Sequence, residues 1–192
     1  MSSSILKCLK EVNSHDLIDK SFQHYNDIFK IKKALINKRI ESIVNKISKL
    51  KRNKIIIISG YPGSGKSTIT SLLKHIGYKV LSMDDDIRSY QELSDITFSE
   101  IEHSIKHIVL DGTFMKQKEI NNFLWINDLQ HYDLLHIYMN IPIHYAYFNN
   151  VNRCLDKRNK RKLLPYKVYK LMESKNDVIL QKKRLYMVNY DL

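Results

Sequence analysis

An eight-residue, glycine-rich segment constrains this chain more than any other feature. Gly60-Tyr-Pro-Gly-Ser-Gly-Lys-Ser67 fits the pattern G-x-x-x-x-G-K-[S/T] and holds three of the five glycines in the chain. It follows Lys54–Ser59, a β-branched apolar run typical of a strand buried on both faces. It precedes Thr68–His75, whose apolar residues recur at helical spacing. Strand, glycine loop and helix in this order predict a loop whose backbone amides bind the phosphate groups of a nucleotide.

The residue types within this loop predict separate tasks. The Lys66 ammonium would reach the β- and γ-phosphates, and the Ser67 hydroxyl would bind Mg²⁺. The sequence therefore predicts ATP and Mg²⁺ as ligands. The residues expected to bind the nucleotide are Gly60, Gly63, Ser64, Gly65, Lys66, Ser67 and Thr68.

Acidic residues follow the next two predicted strands. Asp84–Asp86 come after the strand Tyr78–Ser82, and Asp111 comes after the strand Lys106–Leu110. Ligands of open α/β folds bind beyond the carboxyl ends of the strands. A carboxylate of the first run could accept the proton of a hydroxyl that is being phosphorylated. Asp111 could act on Mg²⁺ or its coordinated water. The alternative for the first run is an acidic turn that caps the next helix.

A basic segment near residues 153–165 lies between two predicted helices, His144–Asp156 and Lys167–Leu180. In a phosphate-transfer enzyme, such a segment can act as a lid that brings arginines over the transferring phosphoryl group. The alternative is a solvated surface. We predict a lid, with three candidate arginines: Arg153, Arg158 and Arg161.

Strands and helices alternate from residue 54 onward. The remaining predicted elements are a strand at Leu134–Met139 and helices near Ser99–His103 and Lys116–Leu129. This alternation predicts a three-layer α/β P-loop NTPase fold, with a short parallel sheet and helices on both faces. We expect a domain at 54–192, preceded by an N-terminal helical extension at 1–53. Two amphipathic helices of the extension would pack on the core, or would form an arm for self-association, a protein partner or nucleic acid.

Composition and net charge indicate which kinds of partner and which cellular location to expect. The formal net charge of +12 raises the odds of an anionic substrate such as nucleic acid. Lysines outnumber arginines by 25 to 7, however, and an AT-rich coding sequence would give the same bias. We expect no membrane partner, because no apolar run is long enough to span a bilayer. The two cysteines show neither metal-ligand nor disulfide spacing, so a cytoplasmic location is expected.

The ordered set of motifs resembles the kinase domain of polynucleotide 5′-hydroxyl kinases, within a wider group that includes zeta-toxin-like and gluconate-kinase-like proteins. The resemblance covers residues 55–172. It is carried by Gly60–Thr68, D-x-x-R at Asp85–Arg88, D-G-T-F at Asp111–Phe114, N-x-P at Asn140–Pro142, and V-x-x-x-M at Val168–Met172 after Pro165.

This resemblance implies transfer of the γ-phosphoryl group of ATP to a hydroxyl, namely the 5′-OH end of DNA or RNA during nucleic-acid repair. It implies that Asp85 is the general base and that Arg88 contacts the acceptor. Counting from the strand end selects Asp84 as the base instead. Two other functions stay open: a kinase for a sugar, nucleoside or nucleotide-sugar, and a non-catalytic nucleotide-binding module.

Two departures from the family pattern bear on the acceptor. The lid of the family carries R-N-x-x-R, but here Asn149 replaces the leading arginine and only Arg153 remains. In a second run, Arg158 and Arg161 are one residue too close together. The stretch from Arg88 to Asp111 is also shorter than in the family, so the resemblance specifies the reaction better than the substrate.

Overall fold

The chain divides into two compact units, residues 1–38 and 39–192. The structure, a computed structural model, describes residues 15–155, 164–176 and 185–189. Helix α1 (His15–Ser48) is 34 residues long and contributes to both units. Within the described residues this helix runs unbroken to Ser48, and no glycine or proline interrupts it. The pair of helices expected in the extension stays a prediction, since residues 1–14 lie outside the described residues. The predicted domain boundary at residue 53 stays a prediction.

Strands and helices alternate along the second unit after α1. No helix among the described residues is long and apolar enough to cross a membrane. The elements are β1 (Asn53–Ser59), α2 (Lys66–His75), β2 (Lys79–Ser82), α3 (Tyr90–Glu102), β3 (His107–Asp111), α4 (Gln117–Asn121), a 3₁₀ turn (Leu124–Asp128), β4 (Tyr132–Asn140), α5 (Ile143–Leu155), α6 (Tyr166–Ser174) and β5 (Leu185–Asn189).

The five strands form one parallel sheet in the order β2-β3-β1-β4-β5. The central strand β1 carries Ile55–Ile58, all with no exposed surface. Strands of a parallel sheet covered on both faces are continuously apolar, which explains why this run does not alternate with polar residues. The predicted α/β fold, with a parallel sheet and helices on both faces, is confirmed.

One face of the sheet carries a core built around aromatic side chains. Ile55 and Ile57 of β1 pack there with Phe114 and Phe123, whose rings meet edge to face at 5.8 Å. Leu93 of α3 closes the same cluster. This packing fixes the segment after β3, and therefore the position of the residues that follow the carboxyl ends of β2 and β3.

Some predicted elements differ from the observed ones. The short helix expected near Ser99–His103 is the last part of α3, which begins at Tyr90. The helix expected at Lys116–Leu129 breaks after α4, where Asn121 and Asn122 favour turns over helix interior. Strand β5 was not predicted. The helix expected at Lys167–Leu180 ends at Ser174, and residues 177–180 lie outside the described residues.

Candidate active site

The loop between β1 and α2 has a backbone conformation that requires glycine. Gly60, Gly63 and Gly65 have φ angles of +144°, +82° and +101°, which residues with a side chain rarely adopt. At Gly63 there is also no room, because an added Cβ atom would lie 2.2 Å from the carbonyl oxygen of Ala146 on α5. The loop therefore packs directly against α5.

Replacing Gly63 with alanine should lower the free energy of unfolding by about 2–5 kcal/mol. A left-handed residue with a side chain costs about 1–2 kcal/mol, and an overpacked contact about 1–3 kcal/mol. Gly77→Ala is the matched control, because Gly77 has φ of +94° but no described atom lies within 4 Å of its added Cβ. This control should lose only about 1–2 kcal/mol. Urea unfolding of both variants measures the difference, and equal losses would contradict the packing argument.

Two side chains from α5 and α6 hold the loop from outside. The Asn149 amide donates to the carbonyl oxygen of Gly63 at 2.6 Å, and the Tyr169 hydroxyl donates to that of Pro62 at 2.9 Å. Burial raises the pKa of Tyr169 to about 12, so its hydroxyl keeps the proton that it donates at neutral pH. The position that carries arginine in the family lid thus carries a loop anchor here.

The start of α2 leaves its polar backbone open to a ligand. The residue before the helix is Gly65, so no side chain caps the first amides, and the helix dipole adds partial positive charge there. The Lys66 ammonium donates to the carbonyl oxygens of Gly60 and Tyr61 at 2.8 and 3.1 Å, over the beginning of the loop. The buried Ser64 hydroxyl has no hydrogen-bond partner among the described residues. This arrangement can bind an anion.

The carboxyl end of β3 brings Asp111 to the edge of the loop. Its register partners are Ile58 of β1 and Ser82 of β2, so it sits between the two strand ends that flank the site. The Thr70 hydroxyl on α2 lies 3.3 Å from the Asp111 carboxylate and 3.0 Å from the Lys66 carbonyl oxygen, and its one proton is shared between these two acceptors. The Asp111 carboxylate therefore lies beside α2, and both Ser67 and Asp111 line the same cleft.

This pair of oxygen donors fits Mg²⁺. The described residues contain no group of three or more His, Cys, Asp or Glu side chains that could hold a metal. Mg²⁺ does not need one, because it keeps several waters and is usually bound by one or two protein oxygens plus substrate phosphates. Ser67 and Asp111 would hold the ion beside the phosphate loop.

The acidic run after β2 forms a tight turn that separates its three carboxylates. The Asp85 amide donates to the carbonyl oxygen of Ser82 at 3.0 Å, and the Asp84 amide donates to the Ser82 hydroxyl at 3.2 Å. Asp86 has a left-handed φ of +57°. All three carboxylates are exposed, but only that of Asp84 belongs to a residue that lines the cleft.

Arg88 is also exposed and outside the cleft lining. Its amide donates to the Glu92 carboxylate at 2.8 Å, while the Glu92 amide donates to the Ser89 hydroxyl at 3.1 Å. These contacts cap α3 and fix Tyr90 in its first turn.

Tyr90 forms a wall of the cleft that sequence reasoning missed. Its hydroxyl lies 3.1 Å from the Thr113 hydroxyl and accepts from the Phe114 amide at 3.2 Å. Burial raises the pKa of Tyr90, which keeps the hydroxyl neutral. The Thr113 carbonyl in turn accepts from the Gly60 amide at 3.1 Å, so this wall is joined to the loop. The sequence signal was Ser89 followed by Glu92, an S-x-x-E capping pattern that marks a helix start.

A single cleft of about 300 Å³ collects most of these groups. The lining includes six of the predicted site residues: Gly63, Gly65, Lys66, Ser67, Asp111 and Arg153. It also includes Asp84, the alternative candidate for the base. Gly60 and Ser64 belong to the loop and Thr68 to the first turn of α2, but none of the three lines the cleft. Asp85 and Arg88 lie outside the lining, and Arg158 and Arg161 lie outside the described residues. Three further lining residues belong to predicted motifs: Pro62 to the glycine loop, and Gly112 and Thr113 to D-G-T-F. The sequence did not single out Ser82, Met83, Tyr90 or Asn150, which also line the cleft.

Arg153 reaches the cleft because of its position along α5. It follows Ala146, which contacts the loop, by seven residues, or nearly two helical turns. Asn149 and Asn150 lie at intermediate positions, three and four residues after Ala146. One face of α5 therefore presents a loop contact, two amides and one guanidinium.

Comparison with solved structures identifies the architecture. A gluconokinase from Sinorhizobium meliloti 1021 matches with a TM-score of 0.50 and 11% sequence identity, over 72% of this chain and 83% of that chain. The fold is that of P-loop kinases. No protein-family model matches the sequence, and no curated protein matches it.

Two further solved structures match with lower scores. A chain of the Pnkp1/Rnl/Hen1 RNA repair complex has a TM-score of 0.49 and 16% identity over 68% of this chain, which spans only 46% of that chain's length. Deoxyadenosine kinase from M. mycoides with bound dATP has a TM-score of 0.43 and 15% identity, over 72% of this chain and 91% of that chain. Identities this low show a shared fold and leave the substrate to be argued from the site.

Proposed function

We propose that this protein is a kinase that transfers the γ-phosphoryl group of ATP to a hydroxyl, with the 5′-OH end of DNA or RNA as acceptor. The observation that supports it is the composition of the cleft beside the glycine loop. An ammonium, a guanidinium, a hydroxyl and two carboxylates, from Lys66, Arg153, Ser67, Asp84 and Asp111, line the same space beside a glycine loop. Phosphoryl transfer depends mainly on positioning and on charge stabilisation, which such a set supplies.

The residues divide the work of the reaction. The loop and Lys66 hold the β- and γ-phosphates, and Ser67 and Asp111 hold Mg²⁺, which neutralises negative charge on the phosphates when bound. The acceptor oxygen forms a bond to the γ-phosphorus as the bond from that phosphorus to the bridging oxygen breaks, and ADP leaves. A carboxylate of the acidic run accepts the hydroxyl proton. Arg153 stabilises the charge on the transferring phosphoryl group.

A nucleic-acid acceptor is supported by sequence features. The D-x-x-R motif and the lid motif resemble those of polynucleotide 5′-hydroxyl kinases, and the net charge of +12 suits a polyanionic substrate. The alternative, a small-molecule kinase, is favoured by the structural likeness to a gluconokinase and by the short stretch between Arg88 and Asp111. We place the polynucleotide kinase first because its motifs extend over residues 55–172.

The experiment that tests the acceptor is a panel assay with γ-labelled ATP. The panel contains 5′-OH DNA and RNA oligonucleotides, their 5′-phosphorylated forms as matched controls, nucleosides and sugars including gluconate. Label should pass to the 5′-OH oligonucleotides and not to the phosphorylated ones. Preferential labelling of a sugar or nucleoside would establish the small-molecule alternative. Hydrolysis of ATP without labelling of any acceptor would favour a nucleotide-binding module.

Salt provides a second test of the acceptor class. Each phosphate contacted on a single strand contributes about 0.7 to the slope of log affinity against log salt, so three or four contacts give about −2 to −3. The KM for an oligonucleotide should therefore rise steeply with salt, whereas the KM for a sugar or nucleoside would be nearly flat. Neutral substitutions at Lys157, Lys160 and Lys162, which lie outside the described residues, should flatten the slope without abolishing turnover. A salt-insensitive KM would contradict a polynucleotide acceptor.

A further inference from the structure

Two hydroxyls that meet in the cleft wall hold one proton more than the bond between them needs. Tyr90 and Thr113 both line the cleft, and their side-chain oxygens lie 3.1 Å apart. The two hydroxyls carry two protons, and the hydrogen bond between them uses one. No described residue accepts the second proton. This proton is therefore available to a ligand.

The contacts of the Tyr90 oxygen show which residue holds the second proton. This oxygen accepts from the Phe114 amide at 3.2 Å and also interacts with the Thr113 amide. A phenol oxygen that receives two N–H groups has no lone pair left, so Tyr90 donates its own proton to Thr113 Oγ1. Burial raises the pKa of Tyr90, and the hydrogen bonds to its oxygen lower that pKa by less, so the proton is present at neutral pH. The Thr113 hydroxyl keeps its proton for another partner.

The backbone around Thr113 is held in an unusual conformation. Phe114 has a left-handed φ of +44°, which a residue with a bulky side chain rarely adopts, and its ring is fully buried. Gly112, on the other side of Thr113, has no room for a side chain, because an added Cβ would lie 2.9 Å from that ring. Such conformations persist only where the surroundings impose them, and they cluster at functional sites. The bend fixes Thr113 in the cleft wall.

The contacts of Thr113 with the phosphate loop indicate which ligand group lies near it. The Thr113 carbonyl accepts from the Gly60 amide at 3.1 Å, and the Lys66 ammonium donates to the Gly60 carbonyl at 2.8 Å. Thr113 and the ammonium therefore contact the same residue, at the beginning of the loop. This lysine reaches the β- and γ-phosphates, whereas the α- and β-phosphates belong to the amides where α2 begins. The beginning of the loop thus corresponds to the γ-phosphate.

We propose that the Thr113 hydroxyl, oriented by Tyr90, donates a hydrogen bond to the γ-phosphoryl group of bound ATP. The proposal rests on the proposed function, and it adds a neutral, directional donor to the charges of Lys66 and Arg153. A donor that is fixed before the substrate binds costs no reorganisation when charge develops during transfer. Two other roles have to be separated by experiment: a purely structural role in the wall, and a contact with the acceptor.

Calorimetric titration with the Mg²⁺ complexes of a non-hydrolysable ATP analogue and of ADP tests this role. Thr113→Val keeps the shape of the side chain and should weaken binding of the analogue by about 10- to 100-fold, the range for a hydrogen bond to a charged group. Binding of ADP, which lacks the γ-phosphate, should change by less than about 3-fold. Thr113→Ala should show the same specific loss, whereas Thr113→Ser restores a hydroxyl and should recover most of the affinity. Thr97→Val is the matched control, because the Thr97 hydroxyl is buried and bonds to the Leu93 carbonyl within α3.

A double-mutant cycle tests the part played by Tyr90. Tyr90→Phe removes the partner that orients the Thr113 hydroxyl but leaves that hydroxyl in place, so it should weaken the analogue by less than Thr113→Val does. The double variant should bind the analogue as Thr113→Val does, because Tyr90 acts through Thr113. Additive losses would overturn the orienting role of Tyr90.

The remaining outcomes separate this proposal from the proposed function. Equal losses for the analogue and ADP, or no loss for either, would overturn the role of Thr113 whether or not the protein is a kinase. Unchanged analogue binding with a raised KM for the acceptor would place the hydroxyl on the acceptor side, against the proposal. An analogue-specific loss in a protein that phosphorylates no acceptor would support Thr113 and overturn the kinase assignment. A wild-type protein that binds neither nucleotide would overturn both.

Discussion

Replacing Lys66 with alanine should lower kcat for phosphoryl transfer by about 10³-fold or more, the range for loss of a charge-stabilising group in the transition state. The fold should survive, because the Lys66 side chain donates to carbonyl oxygens of the adjacent loop, those of Gly60 and Tyr61, and is not part of the apolar core. The hydrophobic core does not depend on it. The loss would therefore report on chemistry and nucleotide binding and not on unfolding.

Lys74→Ala is the matched control for this variant. Lys74 lies in the last turn of the same helix and is exposed, so its removal changes net charge by the same amount far from the cleft. Single-turnover kinetics with γ-labelled ATP measure the chemical step, and thermal unfolding checks the fold. Undiminished turnover of Lys66→Ala would refute the kinase assignment, because no other described residue would supply this charge at the start of the loop.

The central part of the fold was predictable because its signals are local. A continuous apolar run identifies a strand buried on both faces, and Gly60, Gly63 and Gly65 mark backbone that other residues rarely adopt. The helix that follows has apolar residues at regular spacing, which the buried Ile69 and Leu73 confirm. Each signal lies within a few residues of the element that it predicts, so no tertiary information was needed.

The elements around this centre were harder to predict because their limits depend on contacts distant in sequence. Strand β5 owes its place to pairing with β4, with Leu185 beside His136. Helix α4 ends early, where Phe123 turns into the aromatic core. In both cases the local sequence permits several structures, and packing selects one of them.

The candidate site divides in the same way. Lys66 and Ser67 follow from a motif with fixed spacing, whereas Asn150 lines the cleft because α5 packs on the loop, which no motif predicts. The sequence contained one indication that α5 faces the loop. Ala146, Asn149, Asn150 and Arg153 fall at i, i+3, i+4 and i+7, which places them on one helical face, but only the packing of Ala146 against Gly63 shows that this face meets the loop.

The sequence motif and the structure favour different residues as the general base. The motif resemblance selects Asp85, whereas placement in the cleft favours Asp84. The turn that starts at Ser82 explains the difference, because the Asp85 amide closes it by donating to the Ser82 carbonyl. Consecutive residues in such a turn point in different directions, so a shift of one position exchanges an exposed residue that lines the cleft for an exposed residue outside its lining. We propose Asp84 as the base on this placement.

Asp84→Asn should therefore lower kcat by about 10²- to 10⁴-fold, the usual contribution of a positioned general base. Nucleotide affinity should change little, because the base contacts the acceptor and not the donor. Asp85→Asn should show no comparable loss. Asp86→Asn is the matched control in the same run, since asparagine tolerates the left-handed φ of +57° at that position. Pre-steady-state rates with the acceptor found in the panel assay give the comparison. A large loss in Asp85→Asn with little change in Asp84→Asn would show that the motif register is correct and that the acidic turn moves when the acceptor binds.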